Sequence, residues 1–325
     1  MSAEGEIAVR LLESEEAGLL CSLIRRCYGD TYIDPSYYDA AAVRKRLVSG
    51  QVHSIGALTN EEELVGHMGI MRRSHGGITA DAGMTLVDPS FRGRGIARLV
   101  ARGLAQQAIS MGLVGVHDYP VTVHAATQRI GAGFGVDTGL MLGNVPADVD
   151  FQQIDTPSRG ARTSSLIRWL SMGRGEERAV HLPERYAGLI RSLYAAAYLP
   201  RAVRDEPSTL SAGNSSLEET YDPRRRILRM FVLSAGSDLR EQIERARRDA
   251  VERGALVAHA DLTLSSPSTA AAASVFRALG YFFAGLLPEY RDGDVLRVQW
   301  LTDADEDPEE SVHTTDSTRP LQKFV

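Results

Sequence analysis

The chain has 325 residues, 43% of them hydrophobic, with 42 acidic against 36 basic side chains and a formal net charge of −6. That length predicts two domains; no apolar run approaches the ~20 residues of a membrane span, and no basic-then-apolar leader precedes Glu4 and Glu6, so a cytoplasmic protein is expected. Seven of the acids lie between 303 and 316 with no Lys or Arg among them, which leaves the body nearly neutral, argues against a basic nucleic-acid-binding face and predicts a disordered acidic tail over 303–325.

The alternation of Ile7, Val9 and Leu11 predicts a first strand. Ser14, followed by Glu15 and Glu16, opens a helix with Leu20, Leu23, Ile24 and Cys27 on one stripe. Cys21 and Cys27 are six apart on that helix and so on different faces. Buried reduced thiols are expected there, not a disulfide or a metal pair. A second helix is predicted over 36–48, then strands near 52–58, 64–72 and 79–88. A helix from Ile96 carries Leu99, Val100, Leu104, Ala108 and Met111 on one side and stops at Gly112. A strand near 113–119, a helix near 123–132 and a strand near 137–144 follow.

Between the strand ending at Val87 and the helix starting at Ile96 lies Val87-Asp88-Pro89-Ser90-Phe91-Arg92-Gly93-Arg94-Gly95-Ile96-Ala97. A short loop with two glycines turns several backbone N–H groups toward one point, at the positive end of the next helix dipole. Such a point suits a phosphate or pyrophosphate, and Gly93 and Gly95 let the backbone come close to it.

This pattern resembles the acyl-CoA-binding signature of the GNAT superfamily of N-acyltransferases, [Q/R]-x-x-G-x-[G/A]. Here it reads Arg92-Gly93-Arg94-Gly95-Ile96-Ala97. Val87-Asp88-Pro89 matches the Val-x-Pro that the family places at the strand end, and Gly133-Phe134 matches the Gly-Phe that closes a later helix. The element order β-α-α-β-β-β-α-β-α-β over about 5–147 is also that of the family. The resemblance implies a mixed-sheet α/β domain over residues 1–150. Backbone groups at 92–97 would hold the pyrophosphate of acetyl-CoA or another acyl-CoA. Leu86 and Val87 would bond the pantetheine arm and polarise the thioester carbonyl. No metal is implied.

Residues 151–178 read as a connector with one apolar segment, Ser165 to Met172, flanked by Asp155-Thr156-Pro157-Ser158 and Gly173-Arg174-Gly175. Beyond it a helix opens at Pro183, a hairpin spans 217–233, and a helix carries Leu239, Ile243, Ala246 and Ala250. A strand near 256–264, a helix from Pro267 to Leu279 and strands near 282–288 and 295–301 close the chain. This repeats the later order of the first half, with Gly280-Tyr281 in the place of Gly133-Phe134. A second, degenerate GNAT-like domain is therefore expected over 179–302. In place of the glycine loop it has Ser234-Ala235-Gly236-Ser237-Asp238, and Asp238 sets a negative charge where a pyrophosphate would sit.

The implied chemistry is direct attack of an amine on the thioester, which needs an oxyanion donor, a route for the ammonium proton and a proton for the thiolate. Many family members have a glutamate six residues before the valine of Val-x-Pro; here Asp81 stands there and is the expected base. His67 and His117, on central strands, are further candidates, each with a structural reading beside it. The family's acid tyrosine would fall at Arg129, so Tyr119 is the substitute donor and Arg129 is assigned to the thiolate or the CoA phosphates. Tyr32, Tyr37 and Tyr38 could line an acceptor pocket or simply pack helices. Arg224-Arg225-Arg226 reads as a solvated basic turn. The expected function is an acyl-CoA-dependent N-acyltransferase acting on a small-molecule amine. Two alternatives stay open: an aminoacyl-tRNA-dependent transferase on a tandem fold, with tRNA as partner, and an acyl-CoA sensor without turnover. The sequence names neither the acceptor nor the oligomeric state.

Overall fold

The computed structural model describes residues 7–73, 77–131, 133–152, 154, 161–302, 321 and 323. The first half runs β1 (Ala8–Leu11), α1 (Ala17–Tyr28), α2 (Ala40–Val48), β2 (Val52–Leu58), β3 (Leu64–Met71) and β4 (Thr79–Val87). It continues through α3 (Ile96–Ser110), β5 (Gly115–Asp118), α4 (Ala126–Gly131), β6 (Gly135–Val145) and β7 (Thr163–Ser171). The second half runs β8 (Arg178–Val180), α5 (Glu184–Ala196), β9 (Arg201–Val203), β10 (Ser216–Asp222) and β11 (Ile227–Ser234). It ends with α6 (Leu239–Glu252), β12 (Val257–Thr263), α7 (Thr269–Ala278), β13 (Phe282–Leu287) and β14 (Val295–Leu301).

Local sequence accounts for most of these elements. Leu20, Leu23, Ile24 and Cys27 bury the inner stripe of α1, and Asp39 caps α2 by accepting from the Ala41 N–H at 2.9 Å. Ile96, Val100, Leu104 and Ala108, four apart, are the buried face of α3. The α1–α2 layer packs on one face of the first-half sheet and α3 on the other. Cys21 and Cys27 are both buried free thiols.

Twelve strands share one sheet, in the order β1-β2-β3-β4-β5-β7-β6-β13-β14-β12-β11-β10. β8 and β9 form a separate parallel pair. The expected connector is corrected here: Thr163–Ser171 is strand β7, inserted antiparallel between β5 and β6. It is buried without interruption from Ser164 to Leu170. A strand covered on both faces shows no alternation, so its run cannot be told from any short apolar segment. The flanking Asp155-Thr156-Pro157-Ser158 lies outside the described residues.

The halves repeat one pairing scheme. β3–β4 is antiparallel, β4–β5 parallel, and β5–β7 and β7–β6 antiparallel. In the second half β10–β11 is antiparallel, β11–β12 parallel, and β12–β14 and β14–β13 antiparallel. The seam lies between β6 and β13, where Gly139 pairs with Gly285. A Cβ on Gly139 would stand 2.2 Å from the Ala284 carbonyl oxygen and 2.5 Å from the Gly285 Cα, so the close crossing needs glycine. Gln299 spans the seam: its Nε2 donates to the Leu140 carbonyl at 2.9 Å, and its Oε1 accepts from the Leu142 N–H at 2.9 Å.

Most of the expected disordered tail lies outside the described residues. Leu321, within it, is fully buried against the second-half core.

Candidate active site

A cleft opens where β4 and β5 part. The two strands pair only through Thr79–Gly115, Ala80–Val116 and Asp81–His117. Beyond that point β4 bulges. Its register against β3 shifts between His67 and Gly69, and Met84 adopts φ +52°. His67 holds the bulge: its buried Nδ1 lies 2.9 Å from the Met84 carbonyl, so that nitrogen carries the proton and donates. Burial pushes the His67 pKa down to about 4. His67 is thus a neutral structural clamp, away from the cleft wall.

The loop after β4 is fixed by Asp88, whose Oδ1 accepts from the Ser90 N–H at 2.8 Å. Its other oxygen pairs with Arg26, which also donates to the Leu64 carbonyl at 2.6 Å. The chain then passes Gly93 at φ +80° and Gly95 at φ +78°, and α3 starts at Ile96 with Gly95 as N-cap. No atom lies within 4 Å of a Cβ placed on either glycine. Their identity therefore follows from the left-handed backbone and the open space of the cleft. Among the described residues, the N–H groups of 93–97 have no backbone partner in this loop, as expected at a helix start.

The cleft encloses about 1030 Å³. Leu86, Val87, Arg92, Gly93, Gly95, Ile96 and Ala97 line it, together with Arg129 of α4. Arg94 is absent from the wall, its guanidinium stacking 4.9 Å from the Phe91 ring centroid, which leaves only its backbone N–H for the loop. Tyr28, Tyr32 and Tyr37 form an aromatic wall at the α1–α2 end, with Tyr28 and Tyr32 edge-on at 5.0 Å. Tyr38 stands behind, its hydroxyl accepting from the Tyr32 N–H at 2.8 Å.

The expected proton groups come together, though not as the sequence arranged them. Tyr119 lines the cleft and its hydroxyl donates to Asp81 Oδ1 at 3.1 Å. Asp81 lies behind Tyr119, off the wall, in an ion pair with Arg73. Burial raises the Asp81 pKa even against Arg73, and burial keeps Tyr119 protonated, far above its ordinary value. A carboxylate paired with Arg73 and bonded by the Tyr119 hydroxyl is a poor direct base. His117 is fully buried, held neutral by burial, and packs on Trp169 at 5.0 Å.

Two residues of the wall, Asp118 and His124, escaped the sequence reading, and a third, Arg225, was read as part of a solvated turn. Asp118 ends β5 on the wall and accepts from the Tyr119 N–H at 3.0 Å; burial pushes its carboxyl up to about 6, although Arg168 opposes the rise. His124 meets Phe151 edge-on at 5.1 Å, and its Nδ1 is buried with no hydrogen-bond partner among the described residues. Arg225 reaches the same cleft from the second half. Asp118 neighbours the candidates already considered, and only its burial sets it apart.

The matching region of the second half is closed. β11 and β12 stay paired over six residue pairs, from Ile227–Val257 to Val232–Leu262. Its loop N–H groups are engaged: Gly236 N–H donates to Ser215 Oγ at 2.9 Å and Ser237 N–H to the Gly213 carbonyl at 3.1 Å. Asp238 accepts from the Ser215 N–H at 2.6 Å.

Residues 19–127 match the model of the acetyltransferase (GNAT) family. No curated protein matches the chain. Among solved structures, a chimera built on spermidine N-acetyltransferase from Vibrio cholerae aligns with 51% of this chain and 95% of its own, at 11% identity and TM-score 0.40. Ribosomal-protein-S5-alanine acetyltransferase from Vibrio fischeri aligns with 53% of this chain and 96% of its own, at 14% identity and TM-score 0.40. Ribosomal-protein-S18-alanine N-acetyltransferase from Escherichia coli aligns with 53% and 97%, at 12% identity and TM-score 0.39.

Proposed function

We propose that the N-terminal cleft transfers the acyl group of an acyl-CoA, acetyl-CoA first, to a small amine, a reading supported by the match of residues 19–127 to the acetyltransferase (GNAT) family model. The family uses acyl-CoA as co-substrate. The observation that carries the reading is the conjunction of a strand splay with a glycine loop: β4 parts from β5 after Asp81, and the left-handed Gly93 and Gly95 open the N-terminus of α3 onto the same cavity.

The residues fit the ligand. First-turn N–H groups and the helix dipole favour a pyrophosphate at 93–97. Arg92, Arg98 and Arg129 stand on that part of the wall. The bulged stretch of β4 from Gly83 to Val87, free of β5, offers backbone groups to the pantetheine amides and the thioester oxygen.

The amine nitrogen attacks the thioester carbon, the C–S bond breaks, and the amide and CoA thiol leave. Asp118 takes the proton lost by the nitrogen, since it lines the cleft and burial pushes its carboxyl up to about 6. Tyr119 supplies the proton for the thiolate, its hydroxyl turning from Asp81 to do so; solvent then restores the tyrosine proton and takes the one held by Asp118. Asp81, paired with Arg73, acts behind Tyr119 by fixing its hydroxyl; this replaces the direct base role expected from the sequence.

We divide the chain into a catalytic domain that runs through β7 to Ser171 and a second domain from β8 onward that has lost acyl-CoA binding. Its unsplayed strands and engaged loop support that loss. Calorimetry with acetyl-CoA should give about one site per chain, and amines should drive release of CoA thiol. Two equal sites would refute the division, and binding without thiol release across a broad amine panel would leave a sensor.

A further inference from the structure

The turn between β10 and β11 carries Arg224, Arg225 and Arg226, and only two of them behave as a solvated turn would. Arg224 pairs with Asp148 at 2.6 Å, and Arg226 Nε donates to the Gly254 carbonyl at 2.8 Å. Arg225 turns the other way, into the first-half cleft, on the wall shared with Tyr32 and Phe151. The turn is pinned there: Arg162 donates to the Arg225 carbonyl at 2.7 Å and, through Nε, to the Gly143 carbonyl at 2.9 Å.

The charge of Arg225 is poorly matched by the protein. Asp222 lies 3.5 Å from its Nε, and the same carboxylate faces Arg229 at 3.7 Å. One carboxylate thus serves two guanidiniums, with Arg162 beside them. Burial, then Arg229, push the Arg225 pKa down. Asp34, an acid on the same wall, is already occupied by Arg46 at 3.1 Å and by the Ser36 hydroxyl at 2.5 Å. The tyrosine end of the cleft therefore lacks an anion.

We propose that Arg225, supplied by the second half, anchors a carboxylate of the acceptor, so that the cleft acylates small amines that carry a carboxylate, of the amino-acid class. Arg225 Nη1 makes only a long contact to the Asn144 carbonyl, at 3.4 Å; an incoming carboxylate would displace it and take the Nη1–Nη2 edge in two parallel hydrogen bonds. The tyrosine wall packs the rest of the molecule. A polyamine would instead bring cations against Arg225, where the neighbouring acid Asp34 is already paired with Arg46. The second half then has a function without a site of its own: it completes the acceptor pocket of the first.

The inference rests on the acyltransferase reading, and two measurements keep them separable. Calorimetry with acetyl-CoA tests the reading. CoA thiol release, compared between free L-amino acids, their carboxamides and spermidine, tests the inference. The preferred amino acid should exceed its carboxamide at least tenfold in kcat/KM. In Arg225→Gln that ratio should fall to about one through a higher KM for the acid, and Arg225→Lys should restore part of it. A ratio near one in the native protein overturns the inference, and this comparison needs no variant to fold. So does a ratio unchanged in Arg225→Gln, spermidine outrunning every amino acid, or acetyl-CoA binding with no amino acid acylated. Failure of acetyl-CoA to bind would bring down the acyltransferase reading itself.

Discussion

Replacing Asp118 by asparagine should make the protein more stable and less active, and the pH at which each effect appears is set by one carboxyl. Burial lifts that carboxyl from its ordinary 3.8 to about 6. A carboxyl whose folded pKa lies above its unfolded value favours folding while protonated. Its ionisation therefore subtracts stability as pH climbs from 3.8 to about 6, and the subtraction is complete above that range. At about 1.4 kcal/mol per pH unit, the gap is worth about 3 kcal/mol as an upper limit. Asn keeps an oxygen for the Tyr119 N–H, now 3.0 Å from Asp118 Oδ1, and carries no charge at any pH. Asp118→Asn should match the native melting temperature near pH 4 and exceed it at pH 8 by several degrees, with roughly 10 °C as the ceiling. In the native enzyme kcat/KM should rise with pH through about 6 as the base ionises, and the variant should lose that limb. Calorimetric melting across pH 4–8 and thiol-release kinetics over the same range read both effects. Equal stability of variant and native protein at pH 8 would refute the burial argument, and an unchanged acidic limb would refute the base assignment.

Gly95→Glu forces a β-carbon onto a φ of +78° and places an anion at the pyrophosphate position. Acetyl-CoA affinity should fall tenfold or more, roughly 1.4 kcal/mol, and unchanged affinity in a folded variant would remove the loop from the binding site. Arg129, exposed on the cleft wall, should contact the CoA phosphates; Arg129→Tyr should weaken acetyl-CoA binding several-fold at low salt, and a faster turnover with unchanged binding would instead mark a missing proton donor. Gly139→Ala drives a Cβ to 2.2 Å from the Ala284 carbonyl oxygen at the seam. It should cost about 1–3 kcal/mol, read as a lower melting temperature, and an unaltered melt would mean that the seam relaxes freely.

The glycine loop at the α3 end of the cleft was legible in the sequence. The glycine loop, the strand before it and the helix after it are neighbours in the chain, and their signals are local: a left-handed backbone needs glycine, and a buried helix face repeats every three or four residues. The repetition of element order between the halves was legible for the same reason. The tertiary structure decided what depends on residues far apart. β7, seen only as an apolar segment, became part of the first sheet because pairing on both sides hides its pattern. Asp81 left the cleft wall because Arg73 and Tyr119 surround it, and Asp118 acquired its raised pKa from burial that spacing does not encode. Arg225, one of three similar arginines on a turn, entered the site because the Gly139–Gly285 crossing brings the second half against the first. Sequence sets local conformation through backbone sterics and side-chain periodicity, while the choice of distant partners is made by packing and charge, which act only once the sheet has closed.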